Sequence, residues 1–313
     1  MIAAAPLPDR LPDTARLSRW RAPDGWDHRR LDLPGGGRGQ LLLQGGRADV
    51  VEKYLDVALH LGAQGWGVTS FDWRGQGGSG RLGDGDVGHA DSFDRWEDDL
   101  VAFWQDWAVE GPGPHVVLAH SMGAHILLCA LAARRIAPAA VVLSAPMVQV
   151  RSPLGQGMGA RLARWMCASG PATRAAWRLS DEPGAVARRL RRLTVDTSRG
   201  QDSRWWEADG TLRLGPPSWG WIAEAFRSGA ALRHDPRLAQ VNTPTLFLVP
   251  EGDRLVDARA ALAVAARMPA AAVVRFGAEA GHEVLREGVA VRDRAFTAIS
   301  RFLDAEAPGG MKT

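Results

Sequence analysis

The chain has 313 residues, 46% of them hydrophobic and 23% charged, with a net charge of +3. Those values suit a globular protein with one large core or two smaller ones, and so small a charge is weak support for any polyanionic partner. Cys129 and Cys167 make no disulfide framework and fit a reducing compartment, so a cytoplasmic location is expected, with no signal peptide in the opening M-I-A-A-A-P-L-P and no apolar window near the ~18 residues that a membrane span needs.

Residues 1–20, rich in proline and arginine, read as an irregular lead-in. Trp26 to Leu33 and Arg38 to Leu43 read as short strands, with Pro34-Gly35-Gly36-Gly37 between them as a hairpin turn. Leu41-Leu42-Leu43 then runs into a loop, Gln44-Gly45-Gly46-Arg47. From Val51 to Gly65 the apolar positions Val51, Leu55, Ala58, Leu59 and Leu61 have helical spacing and end at glycine.

Gly67 to Phe71 is the next strand, followed by Asp72-Trp73-Arg74-Gly75-Gln76-Gly77-Gly78-Ser79-Gly80. Gly75, Gly77 and Gly80 match the dinucleotide fingerprint G-x-G-x-x-G. That fingerprint requires a helix opening at the glycines, and here a polar, glycine-rich loop follows instead. The next helix begins near Asp91, with Phe93, Trp96, Leu100, Phe103, Trp104 and Trp107 on one face. The match is therefore read as chance.

Pro112-Gly113-Pro114 stops that helix and introduces His115 to Arg135. Here a β-branched run (Val116, Val117, Leu118) meets Ala119-His120-Ser121-Met122-Gly123, and a long segment of helix formers follows. A serine at such a strand-to-helix turn is lifted off the sheet edge, with the first N–H groups of the helix aimed at whatever it attacks. An ordinary helix-capping serine fits the same five residues. Ala140 to Ser144 is a further buried strand, so β-α-β-α-β over residues 38–145 argues for a parallel sheet with helices on both faces. The pattern lapses from Met147 to about Asp235. It resumes with Thr245 to Val249 (strand), Ala258 to Arg267 (helix), Ala272 to Phe276 (strand) and Glu287 to Leu303 (helix).

The expected organisation is one α/β core, residues 1–147 and 236–313, with an inserted helical cap at 148–235. The cap holds 14 Arg and Lys against 8 Asp and Glu, densest at Arg188-Arg189-Leu190-Arg191-Arg192, and six of the thirteen tryptophans. Those tryptophans can be plain core beneath a solvated arginine face. A sharper reading makes Trp205, Trp206, Trp219 and Trp221 an aromatic slot for an acyl chain, under a basic rim that touches anionic headgroups or a membrane surface. Arginine with tryptophan can also suggest nucleic acid, but no nucleic-acid-binding motif is present.

A serine hydroxyl is a weak nucleophile until a base takes its proton, and the base needs an orienting acid. On a parallel sheet the chain order is Ser, then Asp or Glu after a later strand, then His after the last strand. Thr245–Val249 runs into Glu251-Gly252-Asp253-Arg254-Leu255-Val256-Asp257, and Ala272–Phe276 into Ala280-Gly281-His282-Glu283. Both candidates follow the carboxyl end of a strand, where such sheets build their sites.

Ala-His-Ser-Met-Gly, F-D-W-R-G-Q-G-G-S-G-R, P-E-G-D-R-L-V-D and A-G-H-E together resemble the lysophospholipase and monoacylglycerol lipase branch of the α/β-hydrolases, the serine aminopeptidase-like group, over most of residues 38–304. The resemblance implies Ser121 as nucleophile, His282 as base then acid, and Asp253 as its orienter, with Glu251 and Asp257 as rival carboxylates. It implies backbone oxyanion donors at Gly46 and Met122, with Gln44 where the family usually has histidine. His120 and His125 are expected to pack or bond locally, and Asp72 and Arg74 to tie the loop after Phe71. No cofactor and no metal are expected. The implied activity is hydrolysis of an acyl ester or lysolipid through an acyl-enzyme; an amidase, aminopeptidase or acyltransferase would use the same triad, and a non-catalytic binding protein the same fold.

Overall fold

A computed structural model describes residues 10–178, 185–196 and 203–309. Eight strands form one sheet: β1 (Arg16–Arg21), β2 (Asp27–Leu33), β3 (Gly39–Gln44), β4 (Trp66–Phe71), β5 (His115–His120), β6 (Ala140–Ser144), β7 (Thr245–Pro250) and β8 (Ala271–Phe276). Their spatial order is β1-β2-β4-β3-β5-β6-β7-β8. The β1–β2 and β2–β4 pairs are antiparallel, and every other neighbouring pair is parallel. In β4, β5, β6 and β7 nearly every residue is buried, as expected of strands covered on both faces.

Two expectations need correction. Arg16–Arg21 is not irregular: it is an edge strand, and the exposed arginines on it suit an edge that must not recruit another strand. Nor does the glycine run after β2 close a hairpin. β2 and β3 are not neighbours, because β4 lies between them. The run passes hard against β4, where a Cβ on Gly35 would stand 2.1 Å from the Gly67 nitrogen. Close approach of two backbones is what requires glycine at position 35, while Gly37 meets a positive φ of 93°.

The helices are α1 (Leu55–Gly62), α2 (Asp94–Trp107), α3 (Ser121–Ala132), α4 (Gly155–Ala168), α5 (Ala185–Leu193), α6 (Ser203–Ala208), α7 (Trp219–His234), α8 (Ala258–Ala265) and α9 (Val289–Glu306). One apolar cluster joins α2, α3 and α8 to one face of the sheet, and a second joins α1 and α9 to the other. α3 is buried almost all round, which places the turn before it at the centre of the molecule.

Helices α4 to α7 lie between β6 and β7, the stretch read as an insertion. α4 packs on α7, and α7 touches α3. Of the bonds between this segment and the core, those at two places bear on the site. Gly88 N–H donates to Pro216 O at 2.9 Å, and Ser218 N–H to Gly88 O at 3.0 Å. His89 Nδ1 lies 2.8 Å from Ser218 Oγ, the hydroxyl that caps α7. At the other place the end of α5 meets the loop after β8, as set out below. Among the described residues, no helix is long and apolar enough to cross a membrane.

Candidate active site

Ser121 stands where β5 becomes α3, with φ +50°, a conformation that costs a non-glycine residue about 1–3 kcal/mol. The turn is tight on every side. A Cβ on Gly123 would lie 2.4 Å from Gly45 O, and one on Gly46 would lie 2.9 Å from Ser121 Cβ. Small residues are required here because the nucleophile turn and the loop after β3 share one space.

His282 Nε2 lies 2.9 Å from Ser121 Oγ, and His282 Nδ1 lies 2.6 Å from Asp253 Oδ2. All three side chains are buried. The other oxygen of Asp253 accepts the N–H groups of Leu255 at 2.7 Å and Val256 at 3.0 Å. Burial alone would raise the Asp253 pKa, but His282 and those two N–H groups outweigh it and hold the carboxyl below its usual 3.8. Burial would likewise lower His282, and Asp253 outweighs it, so the imidazole titrates above its ordinary 6.5. The arrangement can take a proton from the serine hydroxyl and hold the resulting imidazolium against a fixed carboxylate.

The rival carboxylates are occupied elsewhere. Glu251 pairs with Arg275, and Asp257 caps α8 and accepts from Gln149. His120 lies under the site, its ring centroid 4.7 Å from that of His282 and 5.9 Å from that of Tyr54. Burial, then the nearby His282, push its pKa down to about 3, so it is neutral. His125 bonds Ser228 at 2.7 Å, and burial lowers its pKa to about 4. Asp72 accepts from the N–H groups of Val51 and Gly78, and Arg74 pairs with Asp99 and Asp24; both tie loops together. No helix opens at Gly75, Gly77 or Gly80, and α2 starts only at Asp94.

The oxyanion loop differs from expectation. The N–H of Gly46, the expected donor, is taken by Asp49 Oδ2 at 2.6 Å. An N–H has one hydrogen, and a carboxylate at that distance takes it. The N–H of Ala48 is likewise taken, by Gln76 Oε1 at 2.7 Å. Met122 lies in the first turn of α3, where backbone N–H groups have no intrahelical acceptor. Gln44 is buried, and its Oε1 accepts the Phe71 N–H at 3.3 Å, so it steadies β4 and not the loop. The loop is held instead by Asp49, Gln76 and the Trp73 indole, which donates to Gly45 O at 2.8 Å. Sequence reasoning missed Asp49, although its spacing of four from Lys53 is a signal for a helical ion pair.

The four tryptophans do not share one set of contacts. Trp221 is buried with the α2–α3 cluster, and the Arg47 guanidinium lies over its ring at 5.4 Å. Trp205 packs on the α1–α9 cluster. Trp219 is half-buried, and the Trp206 side chain lies outside the described residues. Among the described residues no group of three or more His, Cys, Asp or Glu is disposed to hold a metal ion.

Residues 36–288 match the sequence profile of the family described as Serine aminopeptidase, S33. Lysophospholipase L2 of Escherichia coli is 32% identical over 284 residues, covering 86% of this chain and 81% of that protein. The probable lysophospholipase L2 of Haemophilus influenzae is 26% identical over 85% of this chain and 84% of that protein. Among solved structures, a soluble variant of monoglyceride lipase from Saccharomyces cerevisiae superposes with a TM-score of 0.75 at 18% identity, covering 96% of this chain and 99% of that one. The monoacylglycerol lipase of Paleococcus ferrophilus superposes at 0.69 with 17% identity, covering 88% and 98%.

Proposed function

The chain belongs to the serine aminopeptidase family of α/β-hydrolases, in its lysophospholipase and monoacylglycerol lipase branch, and we propose that Ser121, His282 and Asp253 are its nucleophile, base and orienting acid. It is a serine ester hydrolase. Its proposed substrates are lysophospholipids or monoacylglycerols, the classes after which its relatives are named.

One relationship supports this reading above the rest: a single buried imidazole lies 2.9 Å from the serine hydroxyl and 2.6 Å from a carboxylate. His282 Nε2 takes the hydroxyl proton as Ser121 Oγ bonds to the ester carbon, and the carbonyl oxygen becomes an oxyanion. Collapse breaks the bond to the leaving alcohol, which receives the proton from His282. Water then attacks the acyl-enzyme by the same exchange and releases the fatty acid. Two backbone N–H groups would stabilise the oxyanion. One is that of Met122 at the start of α3. The other comes from the peptide after Gly46, whose N–H belongs to Arg47, since Gly46 lies against Ser121 while its own N–H is turned to Asp49.

Arg47 also carries the site into the cap: its guanidinium donates to Gly215 O at 2.6 Å and covers Trp221. Trp221 and Trp219, at the start of α7, are the proposed aromatic wall for the acyl ester. Arg188, Arg191 and Arg192 on α5 are exposed, as are Trp165, Trp177 and Val195, and this mixed surface is the proposed peripheral contact with a membrane.

A fluorophosphonate probe tests the nucleophile: label on Ser121 in the folded wild type is expected, and its absence overturns the assignment. Rates on lysophosphatidyl lipids, monoacylglycerols and p-nitrophenyl esters of rising chain length test the substrate class. A strict short-chain preference overturns the acyl wall.

A further inference from the structure

Beneath the oxyanion loop runs a chain of buried charge. Asp49 Oδ2 accepts both the Gly46 N–H, at 2.6 Å, and the Tyr54 hydroxyl, at 3.1 Å. Its Oδ1 meets Lys53 Nζ at 2.5 Å, and the same ammonium meets Glu283 Oε1 at 2.6 Å. Glu283, the residue after His282, also takes Arg286 Nη1 at 3.0 Å. All five side chains are buried. On the other flank Gln76 accepts the Ala48 N–H, and its Nε2 lies 3.9 Å from Met122 Sδ, on the proposed second donor residue. Between the two clamps Ala48 holds φ +65°, a conformation that needs its surroundings to enforce it.

Stability does not account for this investment. Taking ions out of water commonly costs more than their mutual attraction returns, and an apolar replacement of equal volume is often neutral. What an ion chain does supply is fixed distance and direction, since a bond from N–H to carboxylate is short and directional. Both carboxylates are anionic here: burial opposes it, and the Lys53 charge prevails at Asp49 and at Glu283.

We propose that Asp49 and Gln76 are positioning residues for ester hydrolysis, clamping the N–H groups on either side of the 46–47 peptide so that its plane faces Ser121, while Lys53 and Glu283 tie Asp49 to the segment carrying His282. Donor and base thereby keep one separation through both tetrahedral intermediates. This rests on the assignment of Ser121 and His282 above. No residue of the clamp touches substrate; each acts through the loop or through His282.

The test uses full-length enzyme, an ester substrate such as p-nitrophenyl butyrate, and active sites titrated to completion with a fluorophosphonate. Asp49→Ala is expected to lower kcat per titrated site by ~10²–10³-fold, the loss typical of one oxyanion donor, with KM held within about threefold. Asp49→Asn keeps an oxygen able to accept from Gly46 and is expected to recover kcat to within about tenfold of wild type. Gln76→Leu, which frees the Ala48 N–H, is expected to lower kcat at least ~10-fold with KM unchanged. A kcat per titrated site within about threefold of wild type in folded Asp49→Ala overturns the proposal, as does a loss carried by KM. Should Asp49→Ala not fold, Gln76→Leu decides by the same criterion. A wild type that turns over the ester without label at Ser121 overturns the nucleophile assignment, and the clamp with it.

Discussion

The backbone N–H of Glu283 donates to Leu193 O at 2.8 Å, so the residue beside His282 is bonded to the last residue of α5. Glu287 strengthens the junction by accepting from Gly281 N–H at 2.7 Å, Val195 N–H at 2.8 Å and Asp196 N–H at 3.0 Å. A cap helix and the histidine loop are thus one hydrogen-bonded unit. Glu287→Ala strips the acceptor from three N–H groups, and equilibrium urea unfolding is expected to show a loss of about 2–4 kcal/mol. Glu287→Gln retains one good acceptor and is expected to lose less.

Ser121→Ala removes the proposed nucleophile while leaving the elbow backbone in place. Turnover of p-nitrophenyl butyrate is expected to fall ~10⁴-fold or more, with the thermal midpoint unchanged or raised. A variant retaining a tenth of wild-type kcat would mean that another group attacks the ester.

The pH profile follows from His282. Only the neutral imidazole can take the serine proton, so kcat/KM rises with pH through a midpoint above the ordinary 6.5. The same raised pKa means that His282 adds stability fully below its unfolded value and that this contribution is lost as pH rises through the folded one. Asp253→Asn removes the charge that lifts the pKa and leaves burial to lower it. Its midpoint is expected to shift to lower pH, with kcat down ~10⁴-fold. An unshifted midpoint in that variant would assign the ionisation to another group.

Gly123→Ala places a Cβ against Gly45 O, at 2.4 Å before any relaxation. Backbone must move, and it moves the donor loop away from Ser121. The expected outcome is a kcat loss of ~10²-fold with the chain still folded by circular dichroism, the loss expected from misplacing a catalytic group by about 1 Å.

Membrane contact is tested by charge. Reversing Arg188, Arg191 and Arg192 to Glu is expected to weaken binding to phosphatidylserine-rich vesicles by ~10²-fold or more, at about 1 kcal/mol per cation near an anionic surface. Turnover of water-soluble p-nitrophenyl butyrate is expected to stay the same. Equal vesicle binding by wild type and variant would remove α5 from the contact.

The sheet, its order of strands and helices, and the serine, aspartate and histidine that meet were legible because each follows its own strand. A run such as Thr245–Pro250, buried throughout, announces itself by composition, and the polar residues just after it stand out. The glycines after β2 misled because one residue type serves both tight turns and close backbone crossings, and only the position of β4 tells them apart. The bond from the Gly46 N–H was hidden for a similar reason: the sequence shows which loop approaches the serine, while the side chain that takes this N–H stands three positions on. Asp49, Lys53 and Glu283 were not legible as a set, since the pair across the loops is separated by 230 positions. The cap resisted because its tryptophans are divided between two clusters, with Trp165 and Trp177 exposed, and so no single periodic face betrays it.

The bonds of Gly88 and His89 to Pro216 and Ser218 bear on any attempt to change what this enzyme accepts by exchanging its cap. Transplanting residues 148–235 alone would set a foreign start of α7 against this loop, so a chimaera made at the chain boundaries would keep only one half of the fastening. A donor graft that carries the 86–91 loop along with the cap transfers the fastening as well as the part fastened.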